Sequence, residues 1–120
     1  MKVLVIEDNV DAAESLQLAM QLAGHDVDVA HTGTEGIKKA GAASYDIVIC
    51  DIGLPADMDG YTVARTLAPL RKNGKPVLIA MTGYGQDEDK AQASAAGFDH
   101  HLTKPIDPTH IDKLITRIGK

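Results

Sequence analysis

The residues of this sequence that could carry chemistry are acids that directly follow apolar runs. Asp51 follows four consecutive apolar residues, and Glu7 and Asp8 follow an earlier run of four. A carboxylate at the end of a buried run is costly unless something pairs with it. The carboxyl ends of parallel strands lie at one edge of an open α/β sheet. We therefore expect these three acids to meet at that edge.

Positive charge must offset such a cluster, because neighbouring carboxylates repel and partial burial raises the cost. Mg²⁺ fits, since it takes one or two carboxylates and keeps waters that a phosphate can replace. Lys104, just after the fifth apolar segment, can supply a mobile ammonium, and Thr82, which ends another run, can donate one hydrogen bond. This set suits phosphoryl transfer to a carboxylate, with Asp51 as the nucleophile.

Alternation of strands and helices must position these groups. Short β-branched runs predict buried strands, and an alternating segment predicts a half-exposed edge strand. The predicted strands cover 3–6, 26–30, 46–51, 77–81 and 98–102. The predicted helices cover 9–23, 32–43, 61–70, 86–96 and 108–118. Five strand–helix pairs predict an α/β fold, a doubly wound five-stranded parallel sheet with right-handed crossovers and helices on both faces.

Composition bounds the function further. A chain of 120 residues is one domain, and 44% hydrophobic residues with one Phe and no Trp predict an aliphatic core. The net charge of −5 argues against a nucleic-acid or anionic-membrane surface. The single cysteine, Cys50, excludes an intrachain disulfide and fits a reducing compartment. With no signal peptide or apolar span, we expect a cytoplasmic, membrane-free protein with no output domain after Lys120.

Together these residues resemble the receiver domain of response regulators in two-component signalling. The resemblance covers the whole chain and rests on several motifs, namely Glu7-Asp8, Asp51 with Leu54-Pro55, Met58-Asp59-Gly60, Met81-Thr82-Gly83 and Leu102-Thr103-Lys104-Pro105. It implies one receiver domain over 1–120, with a flavodoxin-like sheet in the order 2-1-3-4-5. It also implies a signalling domain that catalyses only its own phosphorylation and dephosphorylation.

The resemblance assigns roles to the acids. It implies that Asp51 is the phosphoacceptor and that Glu7 and Asp8 bind Mg²⁺ together with Asp51. The backbone carbonyl of Gly53 is implied as a further metal ligand. The loop that follows looks one residue longer than the usual spacing in the family.

The resemblance also assigns roles near the fourth and fifth strands. Thr82 matches the switch hydroxyl, and Lys104 matches the lysine that binds the phosphoryl group. The Lys104–Pro105 peptide bond is implied to be cis, a minority form of X-Pro bonds. Tyr or Phe is common three positions before that lysine, where this chain has His101. An imidazole at this switch position can respond to pH.

The implied partners are a histidine kinase or histidine phosphotransfer protein and an unknown downstream protein. The downstream partner is expected on the surface made by the fourth helix, fifth strand and fifth helix. One alternative is a Mg²⁺-dependent phosphohydrolase, but such enzymes commonly use a second acid where Gly53 stands. Another is a flavin- or nucleotide-binding domain, but Glu7 and Asp8 stand where a glycine-rich phosphate loop is expected.

Overall fold

The structure is a computed structural model that describes residues 1–54, 58–82, 87–104 and 106–118. The described strands form one parallel sheet in the order β2-β1-β3-β4-β5. The strands are β1 Lys2–Ile6, β2 Asp26–Ala30, β3 Ile47–Asp51, β4 Val77–Thr82 and β5 His100–Thr103. The helices are α1 Val10–Leu22, α2 Gly33–Ala42, α3 Gly60–Leu67, α4 Asp87–Ala96 and α5 Pro108–Ile118. The predicted doubly wound fold and its strand order are confirmed.

Hydrophobic side chains pack on both faces of the sheet because successive residues of a strand point to opposite faces. Leu4 and Ile6 of β1 face a core that α3 and α4 help to form, with Phe98 within it. Val3 and Val5 face a second core, which is completed by α1 and α5. All five residues of β3 are buried, as predicted for a central strand. Both cores are mainly aliphatic, as the composition predicts.

The fifth strand begins two residues later than predicted, at His100. The backbone amide of Asp99 donates to the Leu78 carbonyl at 2.7 Å, and the Asp99 side chain accepts from the Leu78 amide at 2.8 Å. A carboxylate thus takes the hydrogen bond that a strand carbonyl would otherwise accept. Regular pairing starts with His100 opposite Ile79.

Capping side chains, a glycine and a proline mark the ends of the helices. The Asn9 side chain accepts from the Ala12 amide at 3.0 Å and caps α1, and Gly24, at φ +98°, follows its end. The Asp59 side chain caps α3 by accepting from the Thr62 amide at 2.9 Å. The helix predicted to reach residue 70 ends at residue 67 and continues as a 3-10 turn, Ala68–Leu70, which contains a proline.

One glycine sets the spacing between α2 and β1. A Cβ atom built on Gly36 would lie 2.3 Å from the Cδ1 atom of Ile6. Any larger residue would therefore force the buried Ile6 side chain or the helix to shift. Gly41 of the same helix has nothing within 4 Å of a Cβ built there, so its surroundings are open.

Two predictions concern features beyond these elements. The cis bond expected between Lys104 and Pro105 falls at a residue outside the described part of the chain and stays a prediction. Among the described residues, the Lys75–Pro76 bond is cis. No described helix combines the length and the apolar character that crossing a membrane requires.

Candidate functional site

The predicted acids meet at the carboxyl ends of β1 and β3, which are neighbours in the sheet. Glu7, Asp8 and Asp51 each offer a carboxylate oxygen, and these oxygens lie within 4.8 Å of one another. Glu7 and Asp51 are 3% and 7% exposed, whereas Asp8 is exposed. Two buried carboxylates and one open to solvent thus share a small volume.

Lys104 lies between the two buried acids. Its Nζ atom is 2.7 Å from Oδ2 of Asp51 and 2.9 Å from Oε1 of Glu7. Its backbone amide donates to the carbonyl of Thr82 at 2.9 Å, which fixes the start of the side chain beside the end of β4. The ammonium group therefore reaches past β4 to both acids, and charge-assisted hydrogen bonds of this kind are among the stronger ones.

The backbone around Asp51 is closely packed. The carboxylate Oδ1 of Asp51 accepts from the Gly53 amide at 2.9 Å, so each of its oxygens has a donor. Behind it, a Cβ atom on Gly60 would lie 2.4 Å from the Asp51 carbonyl oxygen. Only glycine permits the first turn of α3 to approach Asp51 this closely, which fixes the end of β3.

Burial and neighbouring charges shift the pKa values of the two buried acids in opposite directions. Burial, reinforced by the neighbouring Asp51 carboxylate, raises the pKa of Glu7 to about 7, although Lys104 opposes the rise. Burial also acts to raise the pKa of Asp51, but its interactions with Glu7, Lys104 and the Gly53 amide outweigh it. The pKa of Asp51 is therefore held below its usual range, and Asp51 carries the negative charge near neutral pH.

The pKa of Lys104 shifts in the direction that favours its charged form. Burial acts to lower it, but hydrogen bonds to Asp51 and Glu7 raise it above its usual range. The lysine is therefore firmly protonated. One ammonium faces two buried carboxylates, so a full set of ionised acids leaves excess negative charge in the site.

The donor set fits a hard divalent cation. The Oε2 atom of Glu7 is buried and has no hydrogen-bond partner in the described part of the chain. Such an atom is costly to bury unless something binds it. Glu7, Asp8 and Asp51 supply only oxygen ligands, which is what Mg²⁺ requires. These three residues could therefore hold Mg²⁺ together.

The acids open into a cleft of about 760 Å³. Its lining includes the acids and Lys104 together with Ala12, Ser15 and Ile106. The cleft runs along the N-terminal half of α1 toward the segment before α5. A reacting group of another molecule can approach Asp51 from this side.

Thr82 ends β4, and His101 lies on β5. The Thr82 side chain is buried, and its hydroxyl is 3.4 Å from the Leu102 carbonyl oxygen, to which it donates. The predicted switch hydroxyl is thus bonded to β5 in this structure. His101 is exposed on β5, which is one of the two edge strands of the described sheet.

One residue at the site was missed by the sequence analysis. His31 follows β2, and its Nδ1 atom is 3.0 Å from the backbone carbonyl oxygen of Glu7. The signal was available, because β2 lies beside β1 and Ala30 pairs with Ile6. The residue that follows β2 therefore lies beside the residue that follows β1, which is the register that brings His31 to Glu7.

A parallel sheet in this order, with clustered acids and a lysine at its carboxyl edge, defines the receiver class of signalling domains. The sequence model of the response regulator receiver domain matches residues 3–116. The chain belongs to this family.

Relatives with known names agree with this assignment. The cell cycle response regulator CtrA of Brucella ovis is 41% identical over 118 residues, which are 98% of this chain and 48% of that protein. The chain thus spans about half the length of the curated relatives it matches.

Solved structures are similar throughout the fold. The chemotaxis response regulator CheY4 of Vibrio cholerae is 26% identical with a TM-score of 0.89, covering 98% of this chain and 97% of that one. A putative response regulator from Chloroflexus aurantiacus is 28% identical with a TM-score of 0.88, covering 98% and 95%.

Proposed function

We propose that this chain is a Mg²⁺-dependent signalling switch whose Asp51 accepts a phosphoryl group from a histidine kinase or histidine phosphotransfer protein. The observation that carries the proposal is the position of Lys104, whose ammonium lies 2.7 Å from Asp51 and 2.9 Å from Glu7. This contact joins a strand-end nucleophile to a group able to bind phosphoryl oxygens. The family membership supports the same reading.

The nucleophile is prepared by its hydrogen bonds. Because the pKa of Asp51 is held below its usual range, its carboxylate is ionised at neutral pH. One carboxylate oxygen forms a bond to phosphorus while the P–N bond of the phosphohistidine breaks. The electron pair of that bond leaves with the imidazole nitrogen, and the other ring nitrogen carries the proton that keeps the imidazole neutral. Positioning and charge neutralisation account for most of the catalysis in such transfers.

Cation binding belongs to the acid cluster. Glu7, Asp8 and Asp51 would hold Mg²⁺, with the Gly53 carbonyl as a further ligand. Bound Mg²⁺ supplies positive charge that offsets the phosphoryl oxygens and the crowded carboxylates. Lys104 is already protonated beside Asp51 and can turn to a phosphoryl oxygen without gaining a proton.

Signal output would follow from a change at Thr82. A phosphoryl group on Asp51 offers acceptors to the Thr82 hydroxyl, which now donates to Leu102 of β5. Exchange of that hydrogen bond would loosen one contact between β4 and β5 and favour a second packed state. His101 is exposed on β5 and would change its surroundings with this shift. We propose that a downstream protein partner binds the surface made by α4, β5 and α5.

Residues 1–120 would form a single receiver domain that acts on itself and on protein partners, and they would not be an enzyme with a separate substrate. A cytoplasmic location agrees with Cys50, which is buried as a free thiol.

The test is phosphorylation by acetyl phosphate with Mg²⁺, followed by intact-protein mass spectrometry. We expect one phosphoryl group per chain in the parent. The control variant Asp26→Asn should gain one as well, because it removes an exposed acid at the start of β2, at the end of the strand away from the site. Asp51→Asn should gain none. EDTA should abolish the labelling of the parent.

Other outcomes would contradict the switch. Rapid multiple turnover of a phosphomonoester would favour a phosphohydrolase, and absence of labelling with copurified flavin would favour a flavin-binding domain. Labelling of Asp51→Asn at the parent's level would remove Asp51 from the proposal.

A further inference from the structure

His31 contributes a hydrogen bond where the regular pairing of β1 with β2 has ended. The last pair of that ladder is Ile6 with Ala30. The Glu7 amide then donates to the Ala30 carbonyl at 3.0 Å, and the Glu7 carbonyl oxygen meets Nδ1 of His31 at 3.0 Å. Both peptide groups that flank Glu7 are thus held by the end of β2.

The direction of this hydrogen bond is fixed by its chemistry. A carbonyl oxygen can only accept, so Nδ1 of His31 must carry the hydrogen. Among the described residues no backbone amide donates to this carbonyl oxygen, and the next residue, Thr32, is already the N-cap of α2. The chain turns away from the sheet at this point. The His31 side chain takes the place of a strand amide.

The Glu7 carbonyl group that His31 binds is part of the link between two acids of the site. It belongs to the peptide unit that connects Glu7 to Asp8, so its orientation sets the direction in which the chain continues. Glu7 is buried at 3% exposure, while Asp8 is exposed. Without an anchor on this peptide unit, the chain could rotate and carry the exposed carboxylate away from the other two.

We propose that His31 is a positioning residue for the metal site. Its Nδ1–H bond holds the Glu7–Asp8 peptide unit so that three carboxylates stay within reach of one Mg²⁺. The inference rests on the proposed function, because it names a residue that supports the same site. Groups that orient metal ligands typically affect affinity strongly, even without touching the metal.

The experiment compares Mg²⁺ affinity by isothermal titration calorimetry in otherwise metal-free protein. His31→Ala should weaken binding about fivefold, the value for one lost hydrogen bond of about 1 kcal/mol. His31→Asn should stay within about twofold of the parent, because the Asn amide nitrogen can occupy the place of Nδ1. His25→Ala is the matched control, since His25 contacts the N-terminus and Asp112 instead.

Each outcome decides between roles. Equal Mg²⁺ affinity of the parent and His31→Ala overturns the positioning role and leaves the proposed function intact. Equal weakening in His31→Ala and His31→Asn also overturns it, because imidazole volume would then be the cause. If His31→Ala fails to fold, His31→Gln replaces it, and equal affinity of the Asn and Gln variants overturns the role. Absence of Mg²⁺ binding by the parent overturns both proposals.

Discussion

Replacing Glu7 by glutamine should change how the stability of the metal-free protein depends on pH. Burial raises the pKa of Glu7 from 4.5 to about 7. The folded state therefore holds this proton more tightly than the unfolded chain. Stability is fully present below pH 4.5 and is lost as the pH rises through 7. The pKa of Asp51 is lowered, so its own linked loss falls on the acid side of this range.

The magnitude follows from the distance between the two pKa values. At about 1.4 kcal/mol for each pH unit, a rise from 4.5 to about 7 corresponds to about 3 kcal/mol, most of which is lost between about pH 5 and 8. Little discount for solvent applies, because Glu7 is only 3% exposed. Glutamine cannot ionise, so Glu7→Gln should not show this loss.

Urea unfolding in EDTA, followed by far-UV circular dichroism at several pH values, measures the effect. The difference in unfolding free energy between the parent and Glu7→Gln removes contributions from the histidines that both share. Between pH 5 and 8 this difference should change by about 2 to 3 kcal/mol in favour of the variant. Glu14→Gln, an exposed acid of α1, should run parallel to the parent. Parallel curves for Glu7→Gln would refute the assigned burial and charge crowding.

Three further predictions concern stability and ionisation away from the site. Gly36→Ala should destabilise by about 1 to 3 kcal/mol through overpacking against β1, whereas Gly41→Ala should stabilise by about 0.5 to 1 kcal/mol, both measured by urea unfolding. Tyr45 should ionise near pH 12 in an absorbance titration, because burial and the hydrogen bond to Asp28 oppose the phenolate; Asp28→Asn should lower that value. A backbone amide and a lysine lower the pKa of Asp46, so its stabilisation is lost on acidification below about pH 4. Asp46→Asn should lack that acid-side loss in urea unfolding between about pH 2 and 5.

The fold was accessible from the sequence because buried parallel strands leave a strong pattern. Nearly continuous apolar runs identified β1, β3 and β4, and polar alternation identified β2. The start of β5 was not accessible, since it depends on Asp99 bonding to the Leu78 amide across the sheet. That choice is made by a neighbouring strand and leaves no local signal.

The sequence predicts which residues of the candidate site lie close together, but it does not predict the hydrogen bonds that they form. Strand ends in a parallel sheet share an edge, which placed Asp51 beside Glu7 and within reach of Lys104. The hydrogen bond of Thr82 to β5 and that of His31 to Glu7 depend on side-chain directions. A pattern of residue types cannot specify such directions. The roles of these residues in phosphoryl transfer stay predictions.

The ion pair between Lys104 and Glu7 joins residues 97 positions apart, so the chain must be made through β5 before it can form. During synthesis, a nascent chain that has emerged only through β4 carries both buried acids without their ammonium. The carboxyl edge of the sheet would then be electrostatically unfavourable. Because the neutralising ammonium follows β5, the two buried acids gain their ion pairs only after all five described strands have been made.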